Sequence, residues 1–208
     1  VKNLEPEKNQ REPHTLFNSM LHPLTPYSIK GFIWYQGEAN ASNAIAYRDT
    51  FPQMIREWRA HWGGRNLPFL FVQLANFIGS GAMPLLREAQ LMTLKVVNTG
   101  MAVSIDIGNP HNIHPQNKQD VGKRLALIAR FCAYARAIIY SGPLYRNHIV
   151  KDASIQIWFD HADGLSPKKK GPARAGRFAY FFFLPSSGGA LGSVATYPFR
   201  CRVARRIG

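Results

Sequence analysis

The chain has 208 residues, enough for one domain of ordinary size with an extension and too few for a multidomain assembly. Apolar residues make up 46% and charged residues 18%, a balance that sustains a buried core and excludes wholesale disorder. The formal net charge of +14 raises a nucleic-acid partner, but residues 1–164 hold 17 Lys/Arg and all 12 Asp/Glu, while residues 165–208 hold nine Lys/Arg and no acid, the pattern of a solvated basic tail.

Residues 1–12 form a polar lead-in. Ile29–Tyr35 (IKGFIWY) is a short β-branched and aromatic run that reads as a buried strand. Asn40 and Ser42 then offer capping side chains. Tyr47, Phe51, Ile55, Trp58 and Trp62 follow at steps of four, four, three and four, which places them on one helical face. Pro52 is expected to interrupt that helix or to begin its second part, and Gly63-Gly64 to stop it. Leu67–Leu74 predicts the next strand, Pro84–Val97 a helix, and Met101–Ile107 another strand. Val121, Leu125, Ile128, Cys132 and Ala135 recur at helical steps, and Ile155–Phe159 (IQIWF) is a further strand candidate. Strands alternating with helices predict an α/β domain with a largely parallel sheet. After Gly164 no sustained period survives, so residues 165–208 read as an irregular basic tail.

No apolar run approaches the ~18 residues of a membrane-spanning helix. Two cysteines, Cys132 and Cys201, exclude a disulfide-dense scaffold or a zinc ribbon. Neither a P-loop nor a G-x-G-x-x-G turn is present, and no cofactor is expected.

In such sheets ligands bind beyond the carboxyl ends of the strands, and two polar clusters fall there. Gln36-Gly37-Glu38-Ala39-Asn40 follows the first strand. A glycine turn lets backbone approach closely and aim N–H donors at a developing oxyanion, whereas the simpler reading makes Asn40 a helix cap. Asp106 to Pro115 follows the third strand and contains His111 and His114. A loop histidine can act as a general base at neutral pH; two histidines three apart beside an aspartate could instead hold a metal, for which no third ligand is evident. Ser19, Ser42, Ser80 and Ser104 are available hydroxyls, none in a strained G-x-S-x-G turn.

The stretches Leu16–Ala41 (with WYQGEANA), YRDTFPQMIREWRAHWG, LPFLFVQLANF, LREAQ and Asp106–Leu127 (with NPHNIHPQNK) resemble the sialate O-acetylesterase family of the SGNH-hydrolase superfamily. The likeness runs over roughly residues 13–144 and continues in step to residue 164. It implies a three-layer α/β/α sandwich, incomplete as given, and hydrolysis of acetyl esters on sugars, either sialic acids or polysaccharides, in a secreted, periplasmic or lysosomal-type setting. The resemblance makes His114 of the IHP motif the catalytic base. Asn40 becomes the first choice for an oxyanion-hole donor, with Gln36 and Gly37 behind it and Glu38 ordering the loop. Relatives carry an acidic residue two or three positions before the histidine; Asn112 and His111 stand there in this chain, which leaves Asp106 as the nearest upstream carboxylate. The family's serine sits in a GQSNM-like block, so the nucleophile is expected upstream of Val1, and residues 165–208 are expected to be disordered or read in a shifted frame. The alternatives are a carbohydrate-binding remnant without catalysis and, on the tail charge alone, a nucleic-acid-binding protein.

Overall fold

The computed structural model describes residues 12, 14–79, 81–151, 154–162 and 200–203. The chain divides into two units, one ending at Ile138 and the other beginning at Ile139.

In the first unit, β1 (Phe32–Trp34), β2 (Phe69–Gln73) and β3 (Thr99–Val103) form a parallel sheet in the order β1-β2-β3. Between them run α1 (Ala44–His61) and α2 (Met83–Met92), and α3 (Lys118–Cys132) follows β3. Strand side chains alternate between faces, and the two faces are covered by different helices. Phe32, Trp34, Phe69 and Phe71 lie on one face, in ring contact with Phe51, Trp58 and Trp62 of α1 and the residue after it. Leu70 and Gly100 lie on the other face, against Ile128 of α3. A Cβ on Gly100 would stand 2.2 Å from Ile128 Cγ2, so this glycine lets α3 approach β3. The result is α1 and α2 on one side of the sheet and α3 on the other, a three-layer α/β/α arrangement.

The central strand β2 is apolar from Phe69 to Val72 because it is covered on both faces: Phe69, Leu70, Phe71 and Val72 are all buried. The expected stripe Tyr47, Phe51, Ile55 of α1 is buried, as is Val121, Leu125, Ile128 of α3.

Four details depart from the sequence reading. Pro52 does not break the helix; α1 is continuous from Ala44 to His61. A proline removes one i→i−4 hydrogen bond at a cost of ~3 kcal/mol, and the burial of Tyr47, Phe51 and Ile55 around it offsets that loss. The helix expected over Pro84–Val97 ends at Met92 and tightens into a 3-10 turn, Thr93–Lys95. The third strand ends at Val103, because Ser104 turns its hydroxyl back onto the Gln73 carbonyl at 2.7 Å. Ala135, expected on the α3 stripe, lies past the helix end with φ of 49°.

The second unit contains β4 (Leu144–Lys151) and β5 (Ser154–Asp160), paired antiparallel with a register shift between Tyr145 and Asn147. The IQIWF strand thus belongs to this hairpin and not to the parallel sheet. Its partner LYRNHIVK mixes charged and apolar residues and gave no clear strand signal. Arg200–Val203 of the expected irregular tail forms β6, parallel to β5. An open strand edge offers backbone partners whatever the side-chain pattern of the segment that joins it. Residues 165–199 and 204–208 of the tail, residues 163–164 before it, and residues 1–11 of the lead-in lie outside the described residues.

Candidate functional site

Parallel strands share a direction, so the turns leaving β1 and β3 emerge at one end of the sheet. The two polar clusters are those turns. They meet through Lys118, whose ammonium lies 4.5 Å from the centre of the Tyr35 ring. Lys118 begins α3, directly after the histidine loop, and Tyr35 directly precedes Gln36.

The β1 turn is built on Gly37, buried and at φ of +146°, a conformation L residues rarely adopt. A Cβ there would lie 3.2 Å from Leu74 Cδ1 and 3.3 Å from Gln90 Nε2. Glu38 opens the 3-10 turn Glu38–Asn43 that leads into α1. The Asn40 side chain accepts a hydrogen bond from Gln36 Nε2 at 2.7 Å, and the Tyr47 hydroxyl donates to Gln36 Oε1 at 3.3 Å. Burial pushes the Tyr47 hydroxyl up to about 12, so it stays protonated and a donor. Asn40 is not the cap of α1: Asn43 stands in that position, without a side-chain capping bond. Gln90, fully buried on α2, ties the turn to the sheet. Its Oε1 accepts from the Leu74 N–H at 3.0 Å, and its Nε2 donates to the Val72 and Gln36 carbonyls at 3.3 and 3.4 Å.

The β3 turn is held by two successive Asx turns. Asn109 Oδ1 accepts from the His111 N–H and Asn112 Oδ1 from the His114 N–H, both at 2.9 Å. Asn117 caps α3 by accepting from the Asp120 N–H at 3.2 Å. The loop is also clamped to the segment after β2: the Ile78 N–H donates to the Pro110 carbonyl at 3.0 Å, and Gly108 packs on Ala75 and Asn76. Gly108, Asn109, Asn112, His114, Gln116 and Asn117 line a cavity of about 250 Å³, so the exposed His114 borders a recess rich in carboxamides.

Asp106 points elsewhere. Its two oxygens accept from Arg124 Nη1 and Nη2 at 2.6 and 2.7 Å, and the guanidinium holds its carboxyl below the usual carboxylate range. The position two before His114 holds Asn112, whose carbonyl is engaged by the main chain. Of the serines, Ser104 is buried and bonded to Gln73, Ser19 donates to the Thr15 carbonyl at 2.8 Å, Ser42 is exposed in the Glu38–Asn43 turn, and Ser80 lies outside the described residues. Among the described residues no three His, Cys, Asp or Glu side chains gather as a metal site.

Sequence reasoning missed Gln90. Met83, Leu86 and Gln90 follow at steps of three and four, and a glutamine on an apolar helical stripe was the available signal.

The family profile described as carbohydrate esterase, sialic acid-specific acetylesterase matches residues 7–130, a stretch containing both turns. The chain belongs to this family. Sialate O-acetylesterases of mouse and human are 38% and 37% identical to it over 152 aligned positions, which cover 62% of this chain and 28% and 29% of theirs. The chain therefore spans less than a third of the length of these curated relatives. A crystal structure of a carbohydrate acetylesterase from Xanthomonas citri superposes with a TM-score of 0.71 at 47% identity, covering 75% of this chain and 38% of that one. The fold is accordingly that of the carbohydrate acetylesterases.

Proposed function

We propose that the chain carries part of the active site of an esterase that removes O-acetyl groups from carbohydrates by serine–histidine acyl transfer. The supporting observation is that the Gln36–Asn40 and Asn109–Asn117 turns share one end of a parallel sheet and are bridged by the Lys118–Tyr35 contact.

In this reading His114 takes the proton from a serine hydroxyl as the serine oxygen attacks the acetyl carbonyl. The carbonyl oxygen becomes an oxyanion, which N–H donors of the β1 turn, Asn40 foremost, stabilise. Collapse of the tetrahedral adduct breaks the bond to the sugar oxygen, which leaves with the proton held by His114. Water then attacks the acetyl-enzyme with His114 again as base, releasing acetate and restoring the serine. The serine is supplied by sequence outside the 208 residues. The carboxamides beside His114 offer neutral donors and acceptors suited to sugar hydroxyls. Gln36 and Gly37 shape the donor turn, Glu38 begins the 3-10 turn that carries Asn40, and Asp106 acts through Arg124 and not on the imidazole.

The test joins the chain at Val1 to the serine-bearing segment of a family member and measures acetate released from O-acetylated sugars. Turnover that falls at least ~10³-fold in His114→Ala, with the fold intact, is the expected result. Binding of the sugar without acetate release would favour the carbohydrate-binding alternative, and full activity in His114→Ala would overturn the assignment of the base.

A further inference from the structure

Asn40 can serve as an oxyanion donor only if its carboxamide presents nitrogen to the reacting oxygen. The two ends of an amide are nearly the same size, and a half-turn about its last torsion would present the Oδ1 lone pairs to a developing negative charge. Something must fix the sense of the amide. Asn40 Oδ1 is engaged by Gln36 Nε2 at 2.7 Å, while Nδ2 has no hydrogen-bond partner among the described residues. Gln36 faces the same ambiguity, and the Tyr47 hydroxyl resolves it by donating to Gln36 Oε1 at 3.3 Å. A hydroxyl can also accept; burial keeps this one protonated, and in the structure it gives its proton to Gln36 Oε1. The Gln36 main chain is separately anchored by Gln90 Nε2.

Resting on the reading of Asn40 as an oxyanion donor, we propose that Tyr47 is a positioning residue: its hydroxyl orients the Gln36 amide, and Gln36 in turn holds Asn40 with its N–H₂ toward the acetyl oxygen. The inference rests on two hydrogen bonds in series, linking the first turn of α1 to the turn after β1. Packing alone does not require the hydroxyl, since the Tyr47 ring lies against Phe51 with centroids 5.0 Å apart and a phenylalanine would keep that contact.

The test uses the 208-residue chain and reads the Asn40 side-chain amide by ¹⁵N NMR. In Tyr47→Phe, the order parameter of the Asn40 side-chain amide should fall and its two N–H resonances should shift. The side-chain amide of Asn98, bonded to the Asn66 carbonyl, should not change. Gln36→Leu, which removes the second link and leaves Tyr47 in place, should loosen Asn40 to the same degree or further. An Asn40 amide unchanged in both variants overturns the relay. The parent reading fails separately: in the serine-bearing protein, an Asn40→Ala variant with unchanged kcat would remove the donor role while leaving the order-parameter result standing. With both in force, Tyr47→Phe should lower kcat by about threefold to thirtyfold at nearly constant KM.

Discussion

Gly37 carries two constraints at once, a φ of +146° and a neighbourhood already filled by Leu74, Gln90 and Leu86. Gly37→Ala should therefore cost about 1–3 kcal/mol, read as a lower urea midpoint, and should loosen the Gln36–Asn40 turn more than the rest of the sheet. Asp106 gives the residue scale its pH dependence. Arg124 lowers its folded pKa, so the ion pair contributes stability that is complete above the unfolded value of ~3.9 and is lost as pH falls through the folded one. Unfolding midpoints measured from pH 6 downward should show that loss below about pH 4, and Asp106→Asn should flatten that limb. If Asp106 instead oriented His114, the same variant would change the pH profile of acetate release. Its geometry, with both oxygens on Arg124, predicts a stability effect alone.

At the scale of elements, the apolar runs and helical stripes made β1, β2, β3, α1 and α3 legible, because each buries a face whose period the sequence states directly. Interactions joining distant segments were not legible. Arg59 looks like a solvent-facing residue of α1, yet it is buried, and its guanidinium donates to the carbonyls of Leu67, Val97 and Asn98 at 2.8, 3.0 and 2.9 Å. Those acceptors lie eight, 38 and 39 residues away, beyond any local pattern. Arg59→Met keeps much of the volume but strips this donor from the Leu67 and Val97 carbonyls and leaves the Asn98 carbonyl with the Phe69 N–H alone; it should destabilise the first unit by at least ~2 kcal/mol, visible by urea or heat. The same blindness applies to the site. Its motifs stood out as QGEAN and NIHP, but the supports that fix them, Gln90 beneath Gly37 and the paired Asx turns before His114, required the fold. Pro52 erred in the opposite direction: a local rule for ending helices was overridden by the aromatic packing on both sides of it.

For the whole molecule, the order β1-β2-β3 with every pair parallel has one consequence that matters most for function. It gathers turns separated by some seventy residues of chain at one end of the sheet, which no single motif could establish. The net charge of +14 does not bear on that arrangement, since the surplus is concentrated beyond residue 164 while the paired turns lie well before it. The central claim is that these two turns form one site for an O-acetylated sugar. It is tested most directly by titrating the ¹⁵N-labelled chain with an O-acetylated monosaccharide and following backbone amide shifts. Concerted movement of the Gln36–Asn40 and Asn109–Asn117 amides, with one shared dissociation constant, is the predicted result. Shifts confined to one turn, or two turns saturating at different concentrations, would contradict it.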